Sequence, residues 1–232
     1  VEDTAIIFKG LARQEPMDGL SFNDIRDDCF KEVSPLTIPP RIGLVRQLYE
    51  KADRETRKHI EDLVCLFERA GATVDEATIP IDLDDLLAAH GIIMATEVAS
   101  FHEENFKVRQ GDYGPNIRRL IETGTLVTAA EYVRAQRARR LFVTAIQNTF
   151  RNFDVLLGPT TPSAAPRDLN TTGDPSFQAP WTTGGLPVIT IPSGMSISGL
   201  PLGVQLISES FTEDRLLRVA QWCEQILNIT LI

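Results

Sequence analysis

The chain has 232 residues, of which 43% are hydrophobic and 24% are charged, and its formal net charge is −9. This composition is typical of soluble globular proteins with enough apolar residues for a substantial core. The acidic balance argues against nucleic acid as a partner, because phosphate binding needs a dense basic surface, and also against tight binding to an anionic membrane. The longest apolar runs, such as 186–192, are too short to cross a bilayer.

The apolar pattern along the chain predicts helices that alternate with short strands. An amphipathic helix is expected at the start of the chain, with Asp3 as its N-cap. Asp53 and Gly71 mark the start and the end of a later helix, and another helical region is expected over 83–109. Thr212 is expected to cap the last helix. The predicted strands are 41–45, 72–80, 153–159, 187–192 and 202–207.

Most of these strands are almost wholly apolar, which is typical of strands that are covered on both faces. The sequence therefore predicts an α/β fold with a mixed, largely buried β-sheet flanked by helices on both faces. No internal repeat, low-complexity run or long linker interrupts the pattern. We interpret residues 1–232 as a single α/β unit.

The predicted helix from Thr128 to about 152 carries an arginine on its apolar face. Thr128 and Glu131 have the spacing of a capping box, and helical periodicity places Tyr132 and Arg139 on the face that also carries the apolar residues Ala135, Phe142, Val143, Ile146 and Phe150. A buried arginine needs an anion or several acceptors, because its charge cannot be lost. Arg139 is therefore either a structural ion-pair or rim residue, or a contact for an anionic ligand. Tyr132 either shares a pocket with Arg139 or belongs to the core.

Several kinds of chemistry are not indicated by the sequence. The histidines are scattered, without partners at metal-ligand spacing, so no metal site is expected at His59, His90 or His102. No phosphate-binding, dinucleotide-binding or nucleophile-elbow motif occurs, and no cofactor is expected. Three widely spaced cysteines are best explained as buried free thiols in a reducing cytoplasm: Cys29, Cys65 and Cys223.

The stretch PWTTGGLPVITIPSG, residues 180–194, reads as a polar, glycine-broken loop that runs into an apolar strand built for the centre of a sheet. The loop is either a turn before a buried strand or one wall of a ligand pocket.

Three long blocks resemble the closing half of amidase signature enzymes: FDVLLGPTTPSAAP (153–166), WTTGGLPVITIPSG (181–194) and GLPLGVQLISESFTEDRLLRVAQWCE (199–224). Upstream, IPPRIGLV and TAAEYVRAQRARRLF match the same family in the same order, and VEDTAIIFKGLA is similar to the segment just after its signature region. The resemblance covers nearly the whole chain. It implies that 1–232 is the C-terminal part of a larger amidase domain.

Members of this family hydrolyse or transfer carboxamides with two serines and a lysine, which precede the matching segment. The chain has no Gly-Ser-Ser-Gly stretch; Ser193 and Ser198 read as turn residues, and none of its five lysines has the family's context: Lys9, Lys31, Lys51, Lys58 and Lys107. The resemblance therefore implies an amidase whose N-terminal half, a partner of this segment, supplies the catalytic groups. The alternative is a non-catalytic binding or scaffold protein, and a homodimer is left open.

The resemblance also implies a set of substrate-binding residues for a small-molecule amide. From the loop before the GLP strand and its neighbour these are Gln178, Trp181, Thr182, Thr183 and Thr160, and from the long helix Tyr132 and Arg139, which align with positions that hold the free amino acid in glutamine-using amidotransferases. Amidotransferases usually carry Asn where this chain has Thr182, and their upstream acidic residue does not align cleanly with Asp174. These departures favour a stand-alone amidase over a tRNA-dependent amidotransferase subunit, with an allophanate-hydrolase-like specificity left open.

Overall fold

The computed structural model describes residues 1–12, 36–79 and 81–228. No helix in these ranges is both long enough and apolar enough to span a membrane. The elements in chain order are α1 (Glu2–Leu11), β1 (Arg41–Val45), α2 (Arg46–Lys51), α3 (Arg54–Arg69), β2 (Thr73–Ala77), α4 (Leu83–Arg109), α5 (Pro115–Leu126), α6 (Ala129–Phe150), β3 (Val155–Pro159), α7 (Ala179–Gly184), β4 (Val188–Met195), β5 (Pro201–Ile207) and α8 (Glu213–Leu227).

The five strands form one mixed sheet in the order β2-β1-β3-β5-β4. β1 pairs in parallel with β2 and with β3, while β5 runs antiparallel to both β3 and β4. Two apolar clusters cover the opposite faces of this sheet. Val155 and Leu157 of β3 pack into the cluster that contains α3 and α8, and Leu156 between them packs into the cluster that contains α6 and α7. The predicted α/β fold, with a mixed sheet between two layers of helices, is confirmed.

Helix ends follow the predicted caps in some places and not in others. The Asp53 side chain accepts a hydrogen bond from Thr56 N at 2.7 Å, and Gly71 ends α3 with a φ of +100°. The prediction for Asp3 is wrong, whereas Thr212 is the N-cap residue of α8 as predicted, although its side chain accepts no hydrogen bond from the first turn. α1 begins at Glu2, and the Thr212 hydroxyl donates to Glu209 O.

The segment before β4 is a helix, so its prediction as a loop is wrong. α7 forms because one side of it is fully apolar: Pro180, Trp181 and Gly184 are buried against the core. Gly184 lets the helix approach α6 closely, since a Cβ at this position would lie 2.8 Å from Cε1 of Phe142. Gly185 then ends the helix in the left-handed conformation, with a φ of +64°.

β4 lies at an edge of the sheet formed by the described residues, not at its centre as the sequence pattern indicated. Its side chains alternate, with Ile189 and Ile191 buried while Val188 and Thr190 are exposed. In the described residues, β4 is therefore buried on one face and exposed on the other.

The expectation of buried thiols is confirmed at Cys223 and wrong at Cys65. Cys223 is fully buried on α8, and this burial raises the pKa of its thiol to about 12. Cys65 is exposed on α3, and Cys29 lies outside the described residues.

A buried amide joins the sheet to the segment that leads into α7. Gln205 of β5 is fully buried, and its Nε2 donates to Pro159 O at 2.9 Å and to Phe177 O at 3.0 Å. Pro159 is the last residue of β3, and Phe177 lies two residues before Ala179, the first residue of α7. Two carbonyl groups that would otherwise be buried without a donor are thus satisfied by one side chain.

Replacing Gly184 with Ala tests the close approach of α7 to α6. We expect Gly184→Ala to lower the free energy of unfolding by about 1–3 kcal/mol, because the added methyl group overlaps the Phe142 ring. Gly91→Ala is the matched control, because Gly91 lies inside α4 and a Cβ added there would meet no atom within 4 Å. We expect this change to raise the free energy of unfolding by about 0.5–1 kcal/mol. Urea denaturation of both variants measures the difference, and equal effects would contradict the packing.

Replacing Gln205 tests the amide bridge. Gln205→Met keeps the side-chain length but leaves the Pro159 and Phe177 carbonyls without their donor, so we expect a loss of about 2–5 kcal/mol of stability. The control is Gln225→Met at an exposed position of α8, for which a change within about 0.5 kcal/mol is expected. A Gln205→Met variant as stable as the control would show that the bridge has no energetic importance.

Candidate functional site

A cavity of about 390 Å³ opens between α4, α6 and α7. Four of the predicted site residues lie in its wall: Arg139, Gln178, Thr182 and Thr183. The remaining wall residues are His90, Ile93, Met94, Glu97, Val98, Pro175 and Ala179. The wall residues are brought together because α4 packs against both α6 and α7.

Arg139 is half-buried, whereas the other arginines of α6 (Arg134, Arg137 and Arg140) are exposed. The helical periodicity of the sequence therefore identified the arginine of α6 that is partly buried. No hydrogen bond or ion pair to Arg139 is found within the described ranges, so the alternative of a structural ion pair finds no partner there. A half-buried guanidinium beside a cavity is suited to binding an anion.

Tyr132 lies outside the cavity wall but contacts a residue within it. Its hydroxyl donates to Glu97 Oε1 at 3.2 Å and accepts a hydrogen bond from Gln136 Nε2 at 2.8 Å. This chain of side chains joins α6 to α4 and restrains the Glu97 carboxylate. Tyr132 therefore contacts the cavity only indirectly, through the wall residue Glu97.

Gln178 is the N-cap residue of α7, and Thr182 lies one turn later on the exposed side of the helix. Gln178 Nε2 donates to Thr160 O, so the segment before α7 is bonded to the loop after β3. Thr183 is buried, and its hydroxyl donates to Ala179 O at 2.8 Å. His90 Nδ1 also lies 2.8 Å from the Thr183 hydroxyl.

His90 was not predicted as a site residue, because its polar partner is 93 residues away in the chain. Burial of the ring lowers the pKa of His90, which favours the neutral imidazole at neutral pH. The one sequence signal available was a histidine within the helical region predicted over 83–109, which is weak by itself.

Trp181 does not line the cavity. It is fully buried beneath α7, with its ring centroid 6.4 Å from that of Phe142, and its Nε1 has no partner within the described ranges. The structure therefore places Trp181 under the site as support for α7 rather than in a wall that faces a ligand.

Thr160 lies in a separate open cleft of about 840 Å³, together with Thr190 and Gly203. The rest of the cleft consists mainly of threonine and proline residues of the loop after β3 and of the β4–β5 hairpin. The cleft adjoins the cavity, because Asp174 lines the cleft and the next residue, Pro175, lines the cavity. We call these two features the arginine cavity and the threonine cleft.

The described residues contain one close serine–histidine pair, and its geometry is unsuited to nucleophilic catalysis. Ser193 was expected in a turn, but it is buried in β4, and its Oγ lies 2.8 Å from Nε2 of the half-buried His59. Ser193 Oγ donates its proton to Leu202 O at 3.2 Å, so it accepts from the histidine. The ring therefore holds no lone pair towards Ser193 with which to activate it.

Lysines in the described ranges lie away from both the arginine cavity and the threonine cleft. Lys51, Lys58 and Lys107 form surface ion pairs with carboxylates of neighbouring residues, and Lys31 lies outside the described residues. Among the residues that the structure describes, no cluster of His, Cys, Asp and Glu could hold a metal ion. The described part thus has polar side chains in the wall of a cavity and no activated nucleophile.

Comparison with known proteins identifies relatives over the whole chain. A glutamyl-tRNA(Gln) amidotransferase subunit of Halothermothrix orenii is 28% identical over 261 aligned residues, which cover 99% of this chain and 54% of that protein. A vestigial protein complex related to the origins of an s-triazine catabolic enzyme, solved with inhibitor, is 26% identical with a TM-score of 0.80, over 99% of this chain and 52% of that one.

The structure of 6-aminohexanoate cyclic dimer hydrolase with its substrate has the same fold, with a TM-score of 0.81 and 20% identity, over 98% of this chain and 53% of that one. The chain thus spans about half the length of the proteins that it matches. The family model described as Amidase matches residues 1–217. This chain therefore belongs to the amidase family, as its sequence motifs indicated.

Proposed function

We propose that this chain is the substrate-facing part of an amidase that hydrolyses the C–N bond of a small carboxamide. The observation that carries the proposal is Arg139, a half-buried arginine without an acidic partner in the described ranges, in the wall of a cavity large enough for a small molecule. Membership of the amidase family supports the reaction type. Its serines and lysine are proposed to come from an upstream segment.

The chemistry divides between the two parts. In the family, a neutral lysine accepts a proton through one serine so that the other serine can attack the amide carbon, and backbone N–H groups stabilise the oxyanion. The present chain would bind the rest of the substrate. Arg139 would hold an anionic group, and Gln178 and Thr182 would offer polar contacts from the edge of α7.

The binding groups suit a substrate with one carboxylate and a short apolar part. Ile93, Met94 and Val98 form an apolar strip along α4, on the side of the cavity that also carries Glu97. A guanidinium binds a carboxylate with two parallel hydrogen bonds, which fixes the direction in which the substrate enters. Thr160 in the adjoining threonine cleft and Trp181 beneath α7 would act on the substrate only through the residues they support.

Two alternatives remain as proposals of lower rank. An amidotransferase subunit is suggested by relatives such as the Halothermothrix orenii protein, and a subunit by definition works with partner chains. Thr182 in the cavity wall, where amidotransferases usually carry Asn, favours the stand-alone amidase. A binding or scaffold protein would use the same arginine cavity without turnover, so activity of the completed protein separates it from both enzymes.

Complementation tests the division between two parts. We expect the isolated 232-residue chain to hydrolyse no carboxamide, and a stable complex with an upstream half that carries the serines and lysine to hydrolyse small amides. Mass spectrometry after incubation with amide substrates should show an acyl adduct only on the upstream half. An adduct on a serine of the 232-residue chain, or an inactive but well-folded complex, would contradict the proposal.

Arg139→Gln tests the anion contact in the active protein. We expect KM for a carboxylate-bearing amide such as succinamate to rise about 10- to 100-fold, because hydrogen bonds to charged groups are worth about 1.5–3 kcal/mol. Arg140→Gln is the matched control on the exposed side of α6 and should leave KM unchanged. Steady-state kinetics measure both, and thermal unfolding checks the fold. Loss of stability in Arg139→Gln with unchanged KM would show that the arginine is structural.

A further inference from the structure

His90 has one ring nitrogen committed to the protein, and the other is available. The Thr183 hydroxyl has a single proton, which it donates to Ala179 O at 2.8 Å. It must therefore accept a hydrogen bond from His90 Nδ1, 2.8 Å away, which places the ring proton on Nδ1. Nε2 then carries a lone pair, and no partner for it is found in the described part of the chain.

This lone pair belongs to a ring that lines the arginine cavity and is half-buried there. The hydrogen bond to Thr183 fixes the orientation of the ring. Thr183 is itself immobilised, because it is buried on α7 and its hydroxyl donates to a backbone carbonyl of the same helix. A neutral imidazole fixed in this way accepts a hydrogen bond and cannot donate one through Nε2. The charged groups that share the cavity are Glu97 on α4 and Arg139 on α6, while the polar side chains contributed by α7 and the residue before it are the uncharged Thr182, Thr183 and Gln178.

We propose that His90 selects the substrate by accepting a hydrogen bond from a substrate N–H group at Nε2 while Arg139 binds the substrate's carboxylate. This inference rests on the proposed function and narrows its substrate class to small amides that combine a carboxylate with an N–H donor. Thr183 is a positioning residue, which acts by fixing the orientation and the tautomer of His90. A similar substrate without the N–H group would leave the Nε2 acceptor unsatisfied and would bind less tightly.

The ring tautomer is the first test, and it needs no turnover. In imidazole ¹H–¹⁵N spectra of the natural full-length protein at about pH 7.5, above the ordinary histidine pKa, we expect His90 to carry its proton on Nδ1. Thr183→Val keeps the shape of the side chain but removes the acceptor, so the Nε2-protonated form should appear. Addition of succinamate should shift the Nε2 resonance of the wild-type protein, and monomethyl succinate, which has no N–H group, should not shift it. A ring protonated on Nε2, or equal shifts with both compounds, would overturn the proposal.

Kinetic selectivity is the second test. We expect His90→Leu to raise KM for succinamate about 10-fold with little change in kcat, and to leave KM for monomethyl succinate unchanged, since a single hydrogen bond is lost. His90→Gln, which keeps an acceptor near the position of Nε2, should restore most of the loss. Equal changes for both compounds, or a lower unfolding temperature with unchanged selectivity, would reduce His90 to a structural residue.

The two tests separate failure of this inference from failure of the proposed function. If the wild-type protein hydrolyses neither compound, the proposed amidase function fails, and the spectra with succinamate and monomethyl succinate still decide the role of His90. If it hydrolyses both and the His90 variants keep the wild-type preference, the amidase function stands and the assignment of His90 is overturned.

Discussion

The site depends on two glutamine amides that hold the end of β3 against the segment before α7. Gln205 donates to the carbonyl group of Pro159, and Gln178 donates to that of the next residue, Thr160. Gln205 also donates to Phe177, so the same buried amide fixes the backbone on both sides of this contact. The arginine cavity and the threonine cleft share this wall. The two hydrogen bonds from Gln205 are closed to water, because Gln205 is fully buried, and they help to fix the relative position of the cavity and the cleft.

Helical periodicity was the most reliable source of prediction from the sequence. It identified Arg139 as the arginine of α6 that turns inward, and the capping box of Thr128 and Glu131 is complete in the structure. The α/β class followed equally directly from apolar strands such as β3, whose five residues are all buried. Local pattern sufficed in these cases because each signal lies within a few residues of the element that it specifies.

What the sequence did not reveal depends on contacts between distant residues. Threonine and glycine disfavour helices, so the pattern around Thr182 and Gly184 favoured a loop. α7 is instead stabilised by burial of Trp181 and by the close packing of Gly184 on Phe142, neither of which local propensity can express. His90 was missed for the same reason, since only the fold brings it to Thr183.

The state of Arg139 follows from the balance between desolvation and pairing. A fully buried arginine without a partner would cost several kcal/mol, but Arg139 is half-buried and borders a cavity that solvent can enter. Under the proposed function, a substrate carboxylate replaces that water and gains a charge-assisted hydrogen bond in a partly apolar site. The arginine then contributes to binding without a structural acidic partner that would compete for it. The three packed helices form this cavity wall without the substrate, and under the proposed function the wall is preorganised for catalytic groups that another segment would supply.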